Sequence, residues 1–198
     1  MNKKQLASEE TKKKIVEQAR TLFINKGYTA TSIEDIVSAT GCSKGSIYYH
    51  FNSKEKLFLC LLEEWDRQWN ETWTEIEKHC QTVSDKLYHL AKFQAEDDFS
   101  NPLTKAWDEF MSGQHSTEMK ERLREIVESN LQFNEKLLKE GMARGEFKQD
   151  DCRMLSLIFD SLMQGLGTNS RRMSLQQALE MNQKAISVLL HGIKIDVK

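Results

Sequence analysis

A single proline, Pro102, and nine glycines are all that interrupt 198 residues. So few breakers argue for an all-α protein of helices joined by short connections. No apolar run approaches the roughly 20 residues needed to cross a bilayer. The N-terminus, MNKKQLASEETKKK, lacks the apolar stretch of a secretory signal. A cytoplasmic protein with no membrane span is therefore expected. Cys42, Cys60, Cys80 and Cys152 are scattered, with no CxxC pair, so free thiols are expected and metal-ligand spacing is absent. None of the five histidines has a Glu three residues before it, which removes the ExxH pairs of di-iron bundles. No phosphate-binding P-loop occurs. An enzyme is not expected, nor a metal or a cofactor.

What is present is a globular composition, 39% hydrophobic and 29% charged, with a net charge of −2. The charge is unevenly spread. Residues 1–60 hold ten Lys/Arg against six Asp/Glu, a balance of +4, which leaves −6 for 61–198. A basic head on an acidic body points to a polyanionic partner for the head.

Apolar spacing divides the chain. Ile15, Val16, Ala19, Leu22 and Phe23 share one helical face, predicting a helix over 9–26 with Ser8 as its cap and Gly27 as its end. A short helix over 33–39 follows, with Thr31/Glu34 or Ser32/Asp35 as capping box. Gly41 breaks it, and Ser43 can cap another helix over 44–50. Two short helices around a glycine-containing turn form a helix-turn-helix, here about residues 33–51. A long helix over 54–80 carries Trp65, Trp69 and Trp73 at i, i+4, i+8. Further helices are expected at 83–97, 103–112, 118–144, 151–166 and 175–193, with a glycine-rich break in GMARGEF.

The stretch SKGSIYYHFNSK, residues 43–54, carries the most information. On a helix begun at Ser43, Ile47 and Phe51 are the core anchors, spaced i, i+4. Lys44, Ser46, Tyr48, Tyr49 and His50 fill the remaining arc as hydrogen-bonding groups, and Gly45 lets the backbone come close to a partner. A helix of this kind fits the major groove of B-DNA. Lys44 is suited to guanine O6/N7 or a phosphate, and Lys54 to a flanking phosphate.

Residues 9–62 resemble the DNA-binding domain of the TetR (tetracycline-repressor) family of bacterial transcription regulators. The likeness rests on Ile15…Ala19…Leu22-Phe23, Gly27-Tyr28, Thr31-Ser32, Ile36, Gly41, Ser43-Lys44-Gly45-Ser46, Tyr48-Tyr49-His50-Phe51 and Lys54-Glu55-Leu57. It implies a homodimer with a three-helix head at 9–55 and a helical ligand-binding and dimerisation body at 56–198. The implied function is repression at a near-palindromic operator in double-stranded DNA, relieved by a small effector. A DNA-binding dimer with no small-molecule ligand, or an activator, is the alternative. The implied DNA contacts are Thr31, Ser32, Ser43, Lys44, Gly45, Ser46, Tyr48, Tyr49, His50 and Lys54. Glu34 departs from the family's pattern: an acid cannot bind phosphate, so it is expected to pair with a nearby lysine or stay off the DNA.

For the body, Trp65, Trp69, Trp73, Phe93, Trp107, Phe110, Met111 and Phe133 are candidate walls for a hydrophobic or aromatic effector, or else ordinary core. Asp66, Glu96, Asp97, Asp98, Asp108 and Glu109 could oppose a cationic ligand, or simply be solvated. Leu155, Ile158, Phe159, Leu162, Ile186, Leu189 and Leu190 are candidates for a dimer interface built from the last two helices.

Overall fold

Side-chain caps set most of the helix boundaries. A computed structural model describes residues 2–194, so the last four residues of the expected body lie outside it. Among the described residues the order is α1 (Lys3–Lys26), α2 (Ile33–Thr40), α3 (Lys44–Phe51), α4 (Lys54–Glu77), α5 (Val83–Ser100), α6 (Thr104–Met111), α7 (Thr117–Ala143), α8 (Cys152–Ser170) and α9 (Leu175–Ile193). The all-α expectation holds. One isolated antiparallel bridge, Phe147 to Lys194, is the sole strand-like pairing among them. No described helix is long and apolar enough to cross a membrane.

Ser8, expected to cap α1, lies inside it. The helix starts earlier because the Asn2 amide donates to Gln5 Oε1 at 2.9 Å, while Asn2 O accepts from the amides of Gln5 and Leu6. At α2, Ser32 and Asp35 form the capping box, each side chain taking the other's amide. Gly41 closes α2 in the left-handed region at φ 66°, where a Cβ would be strained. Ser43 then caps α3 by accepting from the Ser46 amide.

The chain forms two compact units: 1–70 with 102–119, and 71–101 with 120–198. The expected head, 9–55, falls inside the first unit, together with the first part of α4 and all of α6. Its core stacks Ile15, Ala19 and Phe23 of α1 against Ile36, Ile47, Leu57, Phe58 and Phe110, all essentially excluded from water. Phe58 and Phe110 lie 4.9 Å apart between ring centroids, and Tyr28 lies 5.0 and 4.9 Å from them.

The second unit is a bundle in which α5 packs on both α8 and α9. Glu146 accepts from the Val83 and Ser84 amides and so caps α5 from a distant part of the chain. Lys86, nearly buried, is held by Glu77 at 2.7 Å and by Glu140 at 2.8 Å. Phe147 is fully buried, with its ring in the space that a Cβ on Gly141 would occupy. Gly141→Ala should therefore lower stability by about 1–3 kcal/mol, the usual cost of overpacking. Thermal melting followed by circular dichroism would register this as a lower Tm; an unchanged Tm would refute the close approach.

Candidate nucleic-acid interface

α3 is anchored by two side chains and displays the rest. Ile47 and Phe51 are buried, whereas Tyr48 and Tyr49 are exposed, Tyr49 to 79%. Lys44, Gly45 and Ser43 are also exposed, with Ser46 and His50 half-buried. The His50 ring stands edge-on to Tyr49 at 5.1 Å. A Cβ on Gly45 would meet nothing nearer than Ser43 Oγ at 3.8 Å. The protein's own fold therefore does not require glycine there.

Three expected DNA contacts turn out to be occupied by the fold. Thr31 is buried, and its hydroxyl donates to Gly27 O at 2.7 Å. This is a correction: the hydroxyl closes the turn after α1 and has no path to solvent. Ser32 has its oxygen engaged by the Asp35 amide and carboxylate. The Lys54 ammonium donates to Tyr28 O and Thr31 O, each at 2.9 Å, and sits 4.2 Å above the Tyr28 ring. Two of its three donors are thus engaged by the fold, and burial lowers its pKa. Ser43 is partly committed, because its hydroxyl caps α3.

Sequence reasoning missed the role of α6 and the segment after it. Glu109 Oε2 accepts from the Thr29 amide at 2.9 Å, with the carboxylate close over Gly27 at φ 85°. His115 is nearly buried, with Nδ1 3.0 Å from Glu55 Oε1 and Nε2 2.6 Å from Phe110 O. The Ser116 hydroxyl donates to Glu55 Oε2 at 3.0 Å. Burial, with the Glu55 carboxylate adding to it, pushes the Tyr28 phenol up to about 12. No local pattern announces these contacts, since the partners lie about 60 to 80 residues apart.

The expected effector walls separate into two groups. In the first unit, half-buried Trp65 stands edge-on to Trp107 at 6.5 Å, and Trp69 is half-buried. In the second, buried Trp73 stands edge-on to Phe133 at 6.0 Å. Phe93 is half-buried and Met111 exposed. Phe110 takes the other alternative, ordinary core, where it packs on Tyr28, Phe58 and His115. The dimer candidates also divide. Leu155, Phe159, Ile186 and Leu190 are buried within their own protomer, a correction, because side chains already enclosed cannot cover a partner. Ile158 is exposed, and Leu162 and Leu189 are half-exposed. Met154, Leu157 and Val188 are exposed as well.

Among the acids, Asp98 stands out. Its Oδ2 lies 2.6 Å from where a Cβ on Gly167 would be. Burial pushes its carboxyl up to about 6, opposed by Arg171 and aided by Asp97.

Three measurements follow from this geometry. Gly45→Ala should leave the Tm unchanged or slightly raised while weakening operator binding; equal affinity would show that no DNA backbone or base comes close at that position. Lys54→Met removes a donor from Tyr28 O and from Thr31 O and should destabilise the protein by about 1–3 kcal/mol. Its salt dependence of DNA binding should match that of the parent, and a shallower dependence would restore Lys54 as a phosphate contact. For Asp98, an unfolded carboxyl titrates near 3.9, so between about 4 and 6 the folded state holds more protons and stability falls as pH rises through that window. Asp98→Asn should flatten this slope in thermal melts, and an unchanged slope would assign it to another group.

Comparison with known proteins places this geometry in a family. Residues 15–61 match the model for bacterial regulatory proteins, tetR family. Residues 65–195 match the model for the C-terminal region of QacR-like protein. The chain is 29% identical over 183 residues to the HTH-type transcriptional regulator QacR of Staphylococcus aureus, covering 92% of this chain and 97% of that one. A TetR transcriptional regulator from Chloroflexus aurantiacus superposes with TM-score 0.76 at 25% identity, covering 96% and 99% of the two chains. The regulator FadR from Bacillus subtilis, solved with stearoyl-CoA, superposes with TM-score 0.75 at 22% identity, covering 91% and 98%. Shorter matches, of 65 and 47 residues, are to regulators named as a repressor and as a negative regulator. With its body and its helix-turn-helix each matched, the protein belongs to the TetR family of bacterial transcriptional regulators, a family of DNA-binding proteins and not of enzymes.

Proposed function

We propose that this regulator is a cytoplasmic repressor that binds a near-palindromic operator as a homodimer and is released by a small hydrophobic or aromatic effector. The observation that carries the DNA reading is α3, with Ile47 and Phe51 buried while Lys44, Tyr48, Tyr49 and His50 face outward. Lys44 and Ser46 sit at the helix N-terminus, where the amide dipoles favour anions and where base edges are met in helix-turn-helix docking. Tyr48, Tyr49 and His50 supply donors to phosphate oxygens and ring faces to thymine methyls. With Thr31 assigned to the fold and two of the three Lys54 donors engaged there, the DNA surface centres on Ser43, Lys44, Gly45, Ser46, Tyr48, Tyr49 and His50.

The dimer is supported by an exposed apolar set on α8 and α9: Met154, Leu157, Ile158 and Val188. An exposed cluster of this kind on a self-complementary face suits a two-fold contact with a second copy. Two heads so joined, about 34–36 Å apart, would read successive major grooves. The effector reading draws on family regulators that bind small molecules, among them the acyl-CoA complex of a structural neighbour. It also draws on the aromatic pairs Trp65–Trp107 and Trp73–Phe133. An effector would act by binding better to the conformer that does not fit the operator.

The test is binding-site selection from a random duplex library, then fluorescence anisotropy on the recovered site. Lys44→Ala/Tyr49→Ala should lose at least tenfold in affinity, and undiminished binding would refute the surface. Ile158→Glu should yield a monomer by sedimentation and abolish tight operator binding; a dimer that persists would move the interface elsewhere. Hydrophobic compounds that quench Trp fluorescence should also release the operator. If no compound ever changes operator affinity, the ligand-free alternative stands.

A further inference from the structure

Every Lys and Arg between residues 20 and 56 has a partner within the first unit. Arg20 pairs with Glu64 at 2.6 Å, Lys26 with Asp35 at 2.7 Å, Lys44 with Glu34 at 2.5 Å and Lys56 with Glu118 at 2.7 Å. Lys54 is held by two carbonyls. Within the helix-turn-helix, the acid that pairs with the lysine at the start of α3 is Glu34.

Glu34 is the second residue of α2, and Lys44 the first of α3, across the turn at Gly41. The adjacent acid, Asp35, is accounted for by the cap with Ser32 and the bond to Lys26. The Glu34 side chain has no part in the cap; its carboxylate accepts from Lys44. That bond holds the Glu34 carboxyl below its ordinary range and the Lys44 ammonium above its own, and both groups are exposed. An exposed pair of this kind adds little to stability, so its place beside the DNA-reading helix calls for a different physical reason.

We propose that Glu34 is a specificity-determining residue: it restrains Lys44 from phosphate and thereby weakens non-specific DNA binding more than operator binding. The proposal rests on α3 being the DNA surface. Non-specific binding comes from cations that neutralise phosphates and release counterions. When Lys44 turns to a phosphate it leaves a bare carboxylate facing the polyanion, and the repulsion offsets the contact. An ammonium has three donors. With one on Glu34, two remain for guanine O6 and N7, so reading a base does not require the pair to part. Discrimination then comes from an unfavourable element set against the competitor rather than from an extra favourable contact to the target.

The test is Glu34→Gln, which keeps the shape and removes the charge. Affinity is measured by anisotropy over a salt series on a mixed-sequence duplex and on the operator selected with the unmodified protein. The variant should bind the mixed duplex about threefold to tenfold more tightly, with a salt slope steeper by about 0.9 for each freed lysine. The ratio of operator to mixed-sequence affinity should fall. In the Lys44→Ala background the charge change should lose this effect. Unchanged mixed-duplex affinity and slope would overturn the proposal, as would an effect that persists without Lys44. Lys44→Ala with undiminished operator affinity would be a different failure: it would remove the DNA surface itself, and the role of Glu34 with it.

Discussion

The Lys54 ammonium holds the N-terminus of α4 to the turn that follows α1, and the geometry of the head depends on that junction. Two backbone carbonyls, of Tyr28 and Thr31, and the face of the Tyr28 ring meet one cation. The carbonyls sit in a tight turn, where Tyr28 O also accepts from the Thr31 amide at 3.4 Å, and a buried acceptor left unpaired is costly. Beneath them, Phe23, Phe58, Phe110 and Tyr28 pack ring on ring. With this base set, α2 and α3 are placed by two more contacts: buried Ile36 and Ile47, and the left-handed turn at Gly41.

Placement of this kind divides the polar side chains into those the fold uses and those it leaves over. Thr31, Ser32 and Lys54 are used. Tyr48, Tyr49 and His50 are left over on α3, which is why they are the better evidence for a partner. The same division separates the apolar residues of α8 and α9. Leu155, Phe159, Ile186 and Leu190 fill their own protomer, while Met154, Leu157, Ile158 and Val188 do not. Glu34 and Lys44 belong to neither group: they pair with each other, and both are exposed.

α6 extends the first unit beyond the three-helix head. Glu109 caps the Thr29 amide, and His115 and Ser116 engage Glu55 near the start of α4. α4 itself contributes residues to both compact units. The junction that fixes the reading helix is therefore contacted by residues more than 50 positions further along the chain. A bound state that altered α6 would act on the head through these contacts.

The sequence by itself determined the helices and the reading helix, because those depend on local chemistry. The glycine at 41, the Ser-Asp box at α2, the serine at 43 and the i, i+4 anchors Ile47 and Phe51 all act within a few residues of one another. The range expected for α9 matches the observed Leu175–Ile193 for the same reason. Only the tertiary structure decided which of the plausible DNA contacts were spare and which apolar residues of α8 and α9 stayed exposed. It also placed Phe110 in the head core rather than in a ligand wall. Those assignments turn on contacts between residues distant in the chain, where periodicity shows that a side chain faces inward but not which core receives it. Glu34 marks the boundary: its sequence position suggested a lysine partner or a place off the DNA, but that the partner is Lys44, the first residue of α3, depended on how α2 and α3 are placed.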